Sequence, residues 1–395
     1  MASQDLFSSQ LIVQQFVGGI NSFSLLAVPF FMLAGELMNK GGITRRIVDV
    51  VSIWVGRFCG GLGYVAIISS MIFAGLSGSA IADTAALGGV LIPMMSERGY
   101  GKSRATGIVI SSGIIANIIP PSIGFILFGV VSGASISRMF MGGLVPGVII
   151  GCALMITWFF TARKDGLKAE PSTLSSSEKW HIFWQAIPAL LLPIFIIFGL
   201  RGGIFTPTEA GAIAVAYSFG LGLATRELKL KDLEGVLVRA AKSSANVLLL
   251  MGTGATLGWI LTKNQVPQTM TKFLLGITEN PALLMMIIIA FVLFLGCFLT
   301  DATIVPILTP LLLPVIQSIG YDPIAFGVIL CTISVVGNLT PPVGGLLFVV
   351  SGVGNIPVGK IATAVLPFLF TIVGVLVFCA FFPSVISFIP NLFLT

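Results

Sequence analysis

Two short segments place oxygen-bearing side chains beside glycines inside otherwise apolar sequence. Residues 75–79 read GLSGS and are followed by Asp83, while residues 296–301 read GCFLTD. Glycines and hydroxyl side chains end one helix and begin another, which frees backbone carbonyls and amides. Carbonyl, hydroxyl and carboxylate oxygens bind a hard cation such as sodium without any proton transfer. Both segments are therefore candidate cation sites.

Two proline pairs follow these segments at the same distance, in NIIPPS at 117–122 and NLTPPV at 338–343. Proline lacks an amide donor and forces the preceding residue out of the helical conformation, so each pair divides an apolar span into two half-helices. The end of the first half-helix presents carbonyls to a cation, and the start of the second presents amides to an anion. A proline kink without a ligand is the alternative, but the paired occurrence favours a site.

The predicted sodium ligands come from both halves of the chain. They are Gly75, Ser77, Ser79, Asn117 and Pro120 in the first half and Gly296, Thr300, Asp301, Asn338 and Thr340 in the second. Asp83 and Asp301 are ionisable residues in apolar surroundings, which is costly and usually functional. The alternative interpretation of each is a cap at a helix start. Glu36 either pairs with a basic residue or extends to the membrane surface.

The composition limits the kind of protein that positions these residues. Apolar residues make up 56% of the chain and charged residues 9%, with a mean hydropathy of +1.06, which predicts an all-α polytopic membrane protein. The sequence has no cysteine pair, nucleotide-binding glycine motif, basic aromatic stripe or nucleophile–base pair. We therefore expect no cofactor, no nucleic-acid partner and no enzyme activity. His181 beside Trp180 is interpreted as an interfacial anchor rather than a proton relay.

The apolar limbs around residues 75–79, at about 62–74 and 81–95, are each about 20 Å long and too short to span a bilayer. They predict a re-entrant helical hairpin at about 62–97 with its tip near the membrane midplane. Thr206-Pro207-Thr208-Glu209 predicts a capping box at a helix start. The remaining pattern predicts helices at 20–39, 139–162, 182–200, 207–225, 243–262 and 361–384, broken helices at 103–131 and 322–351, and interfacial helices at 45–57 and 266–277.

A shift of 221 residues aligns the chain with itself, which indicates an internal duplication. The aligned identities include Gly75 with Gly296, Pro93 with Pro314, Gly99-Tyr100 with Gly320-Tyr321, Asn117 with Asn338, Pro120-Pro121 with Pro341-Pro342, Gly124 with Gly345 and Pro146 with Pro367. The repeat predicts a second hairpin at about 282–318, and an odd number of crossings between the copies makes the repeat inverted. We expect repeat one at 1–163, a cytoplasmic loop and linker helix at 164–206, and repeat two at 207–395.

The distribution of basic residues orients the chain in the membrane. Seventeen of the 21 Lys and Arg residues fall on one predicted side, and four fall on the other: Arg138, Arg201, Lys263 and Lys272. Because cytoplasmic loops carry the excess of positive charge, we expect the first hairpin to enter from the cytoplasm and the second from outside. The repeat also predicts a counterpart of helix 207–225 at about −14 to 4, a further N-terminal helix that this sequence lacks.

Five stretches resemble the large membrane subunit of tripartite ATP-independent periplasmic (TRAP) transporters over essentially the whole chain. They are SFSLLAVPFFMLAGELMNKGGI (22–43), GLSGSAIADTAALGGVLIPMM (75–95), IIPPSIGFILFGVVSG (118–133), FTPTEAGA (205–212) and TPPVGGLLFVVSGV (340–353). The resemblance implies a multi-pass permease of the bacterial inner membrane, of the ion-transporter superfamily and elevator type, here lacking the usual first transmembrane helix. It also implies sodium as coupling ion, an organic-acid substrate, a periplasmic substrate-binding protein and a small four-helix membrane subunit.

Substrates in this family are mostly carboxylates, including C4-dicarboxylates, sialic acids and sugar acids. No Lys or Arg falls in the middle of a predicted span, so we expect half-helix amino termini, hydroxyls and bound sodium to hold the carboxylate. The predicted substrate-binding residues are Ser77, Ser79, Asp83, Ser122 and Asp301. A stand-alone sodium/dicarboxylate symporter without a binding protein is the alternative function. A channel or a scaffold subunit is a weaker alternative, since paired hairpins enclose a midplane site instead of lining a pore.

Overall fold

The computed structural model describes residues 9–169, 175–354 and 356–393, and every regular element within these ranges is helical. The first half contains α1 (Ser9–Ile20), α2 (Ala27–Lys40), α3 (Ile43–Val55), α4 (Gly61–Ser77), α5 (Ala80–Glu97), α6 (Lys102–Gly113), α7 (Ile123–Ser132), α8 (Ile136–Lys164) and α9 (Ser176–Arg201). The second half contains α10 (Pro207–Ala224), α11 (Leu233–Lys263), α12 (Val266–Ile277), α13 (Pro281–Gly296), α14 (Asp301–Ser318), α15 (Pro323–Gly337), α16 (Gly345–Gly354), α17 (Val358–Phe381) and α18 (Ser384–Phe393). The middle of the predicted cytoplasmic loop, residues 170–174, lies outside the described residues.

Five of the described helices are long and apolar enough to cross a bilayer, namely α8, α9, α11, α14 and α17. Two further pairs pass the same test as bent units, α1 with α2 at 60° and α12 with α13 at 119°. α14 qualifies although the sequence predicts it as one limb of a hairpin, and its 18 residues extend about 27 Å, slightly less than the hydrocarbon core. These helices confirm the prediction of an all-α polytopic membrane protein.

The first hairpin consists of α4, the turn Gly78-Ser79 and α5. Gly78 has a φ of +63°, and a Cβ at this position would overlap the carbonyl oxygen of Pro121, so glycine is required here. Ser79 caps α5 by accepting a hydrogen bond from the amide of Ala82 at 3.4 Å. The helix break predicted within 75–79 therefore lies at residues 78 and 79.

Each proline pair separates two helices. In the first half, α6 continues into a 3₁₀ segment at Ile114–Asn117, and α7 begins after Ser122, whose hydroxyl accepts a hydrogen bond from the amide of Phe125 at 3.4 Å. In the second half, the break lies between α15 and α16. The peptide bonds within Pro120-Pro121 and Pro341-Pro342 are both cis. The chain thus has one broken helix in each half, at the two proline pairs.

Some helix ends differ from those expected from the sequence. α1 and α18 are additional helices, and α11 begins at residue 233 instead of 243. The first turns of α11 carry Glu234, Arg239 and Lys242, and such charged residues hide a helix start from a hydropathy criterion. The predicted capping box is confirmed, because Thr206 accepts from the amide of Glu209 at 3.3 Å and the Glu209 carboxylate accepts from the amide of Thr206 at 2.7 Å.

Two groups of helices meet at the centre of the molecule. In the first, named here the scaffold group, α2 packs against α10 and α11, α1 against α11, and α9 against α10. The second, named the hairpin bundle, comprises α4–α7 and α13–α16. Here α13, residues 297–300 and α14 correspond to the predicted second hairpin, and residues 297–300 are called its tip. Within it α5 packs against α6 and α16, and α14 packs against α7 and α15, so each hairpin contacts the broken helices of both halves. α11 packs along α14 and α2 contacts α4 and α7, which places the scaffold group beside the hairpin tips.

Ion pairs connect the helices of the scaffold group at one end. Arg239 Nε on α11 donates to Glu36 Oε2 on α2 at 2.7 Å, and Lys40 Nζ lies 3.4 Å from Asp232 Oδ1. Of the two alternatives expected for Glu36, the structure thus shows the first, pairing with a basic residue. Exposed pairs of this kind contribute at most about 1 kcal/mol each, so they orient α2 and α11 more than they stabilise them.

Candidate transport site

Asn117 joins the tips of the two hairpins. Its side-chain oxygen accepts a hydrogen bond from the amide of Ala80 at 2.9 Å, at the start of α5. Its side-chain nitrogen donates to Asp301 Oδ2 at 2.8 Å, at the start of α14. Asn117 is only 3% exposed, and a shielded hydrogen bond is stronger than one in water. One amide of the first broken helix therefore holds both hairpin tips.

Asp83 is fully buried in the first turn of α5. Its Oδ1 accepts a hydrogen bond from Ser77 Oγ, which in turn accepts from the amide of Ser79 at 3.2 Å. Asp83 Oδ2 has no hydrogen-bond partner among the described residues. A buried carboxylate oxygen without a partner is costly, and a cation would offset that cost. The side chain of Ser79, and not that of Asp83, provides the cap at this helix start.

The second hairpin contacts its own broken helix through backbone atoms. A Cβ on Gly296 would lie 2.7 Å from the Cα of Gly337, so α13 and α15 touch at two glycines. The amide of Gly344 donates to the carbonyl oxygen of Cys297 at 2.9 Å. Thr300 is the residue preceding α14, and its side chain does not cap that helix. Backbone contacts thus hold the tip of the second hairpin to its own broken helix. The first tip has a similar contact, from the amide of Ile123 to the carbonyl oxygen of Gly78 at 3.3 Å, in addition to the side chain of Asn117.

A cavity of about 600 Å³ lies where the hairpin tips meet the scaffold group. The first turns of four helices line it, α5 at Ala80, α7 at Ile123, α14 at Asp301 and α16 at Leu346. Each helix start carries partial positive charge, although the amide of Ala80 is already bonded to Asn117 Oδ1 and that of Ile123 to the carbonyl oxygen of Gly78. The residues described around this cavity include no Lys or Arg, and the ionisable ones are Glu36 and Asp301. The cavity therefore offers an anion four helix starts instead of a positively charged side chain.

A smaller cavity of about 120 Å³ adjoins the first. The two share lining residues that include Glu36, Ser79 and Ser243, and the smaller one also reaches Ser77 and Asn39. Asn39 is next to the last residue of α2, at the end that the basic residues predict to be cytoplasmic. The two cavities together extend from the hairpin tips towards this end of α2.

The structure brings six of the predicted site residues to these cavities. They are Ser77, Ser79, Asn117, Thr300, Asp301 and Asn338. The remaining predicted residues do not line either cavity, namely Gly75, Asp83, Pro120, Ser122, Gly296 and Thr340. Ser122 Oγ donates to the carbonyl oxygen of Asn117 at 2.7 Å, and Thr340 Oγ1 donates to a carbonyl oxygen one turn earlier at 3.2 Å. A Cβ on Gly75 would lie 2.7 Å from Cβ of Pro193 on α9.

The scaffold group supplies lining residues that the sequence did not single out. Ser243 and Asn246 line the larger cavity from α11, and Met32 lines it from α2. Asn246 is a polar residue followed by an apolar stretch of α11. Polar residues in membrane helices usually face a cavity or another helix, so Asn246 could have been found by that signal. The larger cavity thus lies between the scaffold group and the hairpin bundle.

The fold and the site define a polytopic membrane protein with a cavity between two groups of helices. The family model described as "Tripartite ATP-independent periplasmic transporter, DctM component" matches residues 2–385. The chain belongs to this family, which confirms the resemblance stated above. It is therefore an inner-membrane transport subunit and not an enzyme.

Relatives of similar length have known or assigned substrates. The chain is 43% identical over 383 residues to the 2,3-diketo-L-gulonate TRAP transporter large permease protein of Escherichia coli, covering 97% of this chain and 90% of the relative. It is 39% identical to the sialic acid TRAP transporter large permease protein of Vibrio cholerae, covering 96% and 89%. It is 34% identical to the C4-dicarboxylate TRAP transporter large permease protein of Pseudomonas aeruginosa, covering 93% and 86%.

A solved structure with the same fold is that of the YdaH transporter of Alcanivorax borkumensis. It aligns with a TM-score of 0.65 over 95% of this chain and 88% of that chain, at 15% sequence identity. Identity at this level supports similarity of fold alone. The arrangement of helices described here is therefore found in another membrane transporter.

Proposed function

We propose that the chain imports an organic acid together with sodium ions, as the permease of a transporter that receives the acid from a periplasmic binding protein. The observation that carries this proposal is the cavity of about 600 Å³ at which four helix starts converge. The partial positive charge of these helix starts attracts a carboxylate, and those first amides that are not bonded within the protein can donate to its oxygens. The side chains of Ser79, Asn246, Thr300 and Asn338 would bind other polar groups of the acid.

The substrate is proposed to be a carboxylate of the classes bound by the relatives. Diketogulonate, sialic acid and C4-dicarboxylates differ in size and hydroxylation but all carry a carboxylate group. The four helix starts around the cavity suit this shared carboxylate, and their charge does not depend on side chains. Which acid this chain carries would depend on the polar side chains around them.

Sodium is proposed to bind at the two hairpin tips, each against the broken helix of its own half. At the first tip Asp83 Oδ2 is a buried oxygen without a partner, and the last carbonyls of α4 have no helical amide to accept from. At the second tip the carboxylate of Asp301 is beside the cavity, close to Asn338. Sodium at either place would add positive charge next to a substrate carboxylate, which couples the binding of the two.

The movement proposed is an elevator, in which the hairpin bundle slides against the scaffold group. The larger cavity lies between the two groups, so substrate bound to the bundle would exchange one set of scaffold contacts for another. An inverted repeat would supply one hairpin as a gate on each side of the membrane. The small four-helix subunit is proposed to bind the scaffold group, and the periplasmic binding protein to dock on the outer face.

Uptake into proteoliposomes tests this proposal. The chain is reconstituted with its small subunit, and radiolabelled candidate acids are supplied with or without the binding protein and with a sodium or a potassium gradient. We expect uptake only when both the binding protein and the sodium gradient are present. Uptake that ignores the binding protein would identify a stand-alone symporter, and uptake that ignores sodium would refute the coupling.

A further inference from the structure

A basic groove lies at the predicted cytoplasmic end of the hairpin bundle, away from the transport site. Its volume is about 680 Å³, and its charged lining residues are Lys102, Arg104, Lys360 and Asp165. Arg104 Nε donates to Asp165 Oδ2 at 2.8 Å, so these two charges offset each other. The described ion pairs include neither Lys102 nor Lys360, both of which are exposed. Among the residues that the structure describes, these two positive charges of the groove therefore have no counterion.

The first turn of α6 forms one wall of this groove, and its preceding residue, Gly101, offers no side-chain cap. The corresponding position at the start of α15 is Asp322, which caps that helix by accepting from the amide of Ile324 at 2.9 Å. The backbone angles are nearly equal, with φ −57° and ψ 123° at Gly101 and φ −63° and ψ 120° at Asp322. A Cβ on Gly101 would meet no atom within 4 Å. An aspartate cap would therefore fit at Gly101, but the glycine gives the first amides of α6 no side-chain acceptor.

We propose that the groove binds a phosphate group, supplied by the headgroup of an anionic phospholipid or by free phosphate. Lys102 and Lys360 supply the positive charge, and the first amides of α6 donate to the phosphate oxygens in place of a cap. A membrane source is close, because Cys59 Sγ donates to the carbonyl oxygen of Leu167 in the groove wall at 2.8 Å, and the neighbouring side chain of Phe58 is 50% exposed. Phe58 packs edge-on against Tyr64, and tyrosine side chains are enriched at the membrane–water interface.

A phosphate in this groove would connect three parts of the bundle. Lys102 begins α6, Lys360 lies in the first turn of α17, and Asp165 follows α8. Arg104 already connects the same parts, since it also donates to the carbonyl oxygen of Ala364 on α17 at 3.4 Å. A bound phosphate group therefore stabilises the packing of α6 on α17 and does not depend on the transported substrate.

Titration of the purified chain in detergent with phosphatidylglycerol tests this inference, with bound lipid counted by native mass spectrometry. Phosphatidylcholine, with no net charge, and inorganic phosphate are the parallel arms. Loss of one lysine contact to an anionic surface corresponds to about a fivefold loss of affinity, so Lys102→Ala/Lys360→Ala should weaken phosphatidylglycerol binding on the order of 30-fold. Lys229→Ala/Lys242→Ala removes two exposed lysines elsewhere on the predicted cytoplasmic side and should bind as the parent does.

Two substitutions at Gly101 separate charge from helix geometry. Gly101→Asp supplies the cap seen at Asp322 and should abolish binding while raising the melting temperature without lipid, whereas Gly101→Ala should keep binding. Binding of inorganic phosphate that is lost in the double lysine variant assigns the site to free phosphate. Binding of phosphatidylglycerol without binding of inorganic phosphate assigns the site to lipid. Equal binding of phosphatidylglycerol and phosphatidylcholine, or unchanged binding in both the double lysine variant and Gly101→Asp, would overturn the inference.

Discussion

Replacement of Asn117 by alanine is expected to release the two hairpin tips from each other. The substitution removes the acceptor for the buried amide of Ala80 and the donor to Asp301 Oδ2. Both tips would keep their own turns, because the turn at Gly78 and the start of α14 do not depend on this side chain. The loss is therefore confined to the contact between the hairpins.

The size of the effect follows from the two hydrogen bonds. An unpaired buried amide costs about 1 kcal/mol, and the lost bond to the partly exposed carboxylate of Asp301 costs about 1.5 kcal/mol. The sum of about 2.5 kcal/mol corresponds to a loss on the order of 50- to 100-fold for any equilibrium that needs the joined tips. With about 2 cal/mol/K of unfolding entropy per residue, a chain of 395 residues would melt roughly 3 °C lower.

Asn338→Ala is the matched control for this prediction. Asn338 is the equivalent residue of the second half and directly follows α15. It is 4% exposed, but the described residues give its side chain no hydrogen-bond partner. Its removal should lower the melting temperature by less than about 1 °C. Both variants are compared by thermal unfolding in detergent. Uptake is not part of this comparison, because Asn338 itself belongs to the proposed transport site. Equal melting temperatures in the two variants would refute the reasoning about Asn117.

Three further substitutions test other parts of the site. Gly78→Ala should lower the melting temperature and abolish uptake, because its Cβ overlaps a proline carbonyl at a positive φ, while Gly89→Ala, which meets no neighbour within 4 Å, should be neutral. Ser77→Ala leaves the buried carboxylate of Asp83 without a partner and should reduce the rise in melting temperature on adding sodium. Ser79→Ala should instead lower stability by about 1 kcal/mol through loss of a helix cap, in addition to removing a proposed substrate contact. Asn246→Leu should slow uptake without lowering the melting temperature, and unchanged uptake would exclude this residue from the site.

The elements that carry the site could be predicted because their signals are local. Glycine at positive φ, serine at a helix start and a proline pair each act on their own residues, so the breaks at 78–79 and around Pro120-Pro121 follow from the sequence. The capping box at Thr206 is of the same kind. Helix starts with charged first turns, as in α11, escaped the hydropathy criterion that found the other spans.

The contacts between distant segments could not be predicted in the same way. The pattern around Asn117 and Asn338 is the same, yet only Asn117 bonds to the other half of the chain, through Asp301. That difference depends on how the second hairpin packs across α7, which no local signal encodes. The cavity residue Asn246 comes from α11, and its place beside the hairpin tips likewise depends on the packing of α11 along α14.

The proposed carboxylate site built from helix starts would explain how related permeases can carry different acids. The four helix starts around the cavity supply their positive charge through backbone amides, which substitution of a side chain leaves unchanged. Ser79, Asn246 and Thr300 can then vary to fit the rest of an acid without loss of the carboxylate contacts. An arginine or lysine would bind a carboxylate more tightly, but it would also carry its own charge through the membrane whenever the site is empty, at a cost that helix starts avoid.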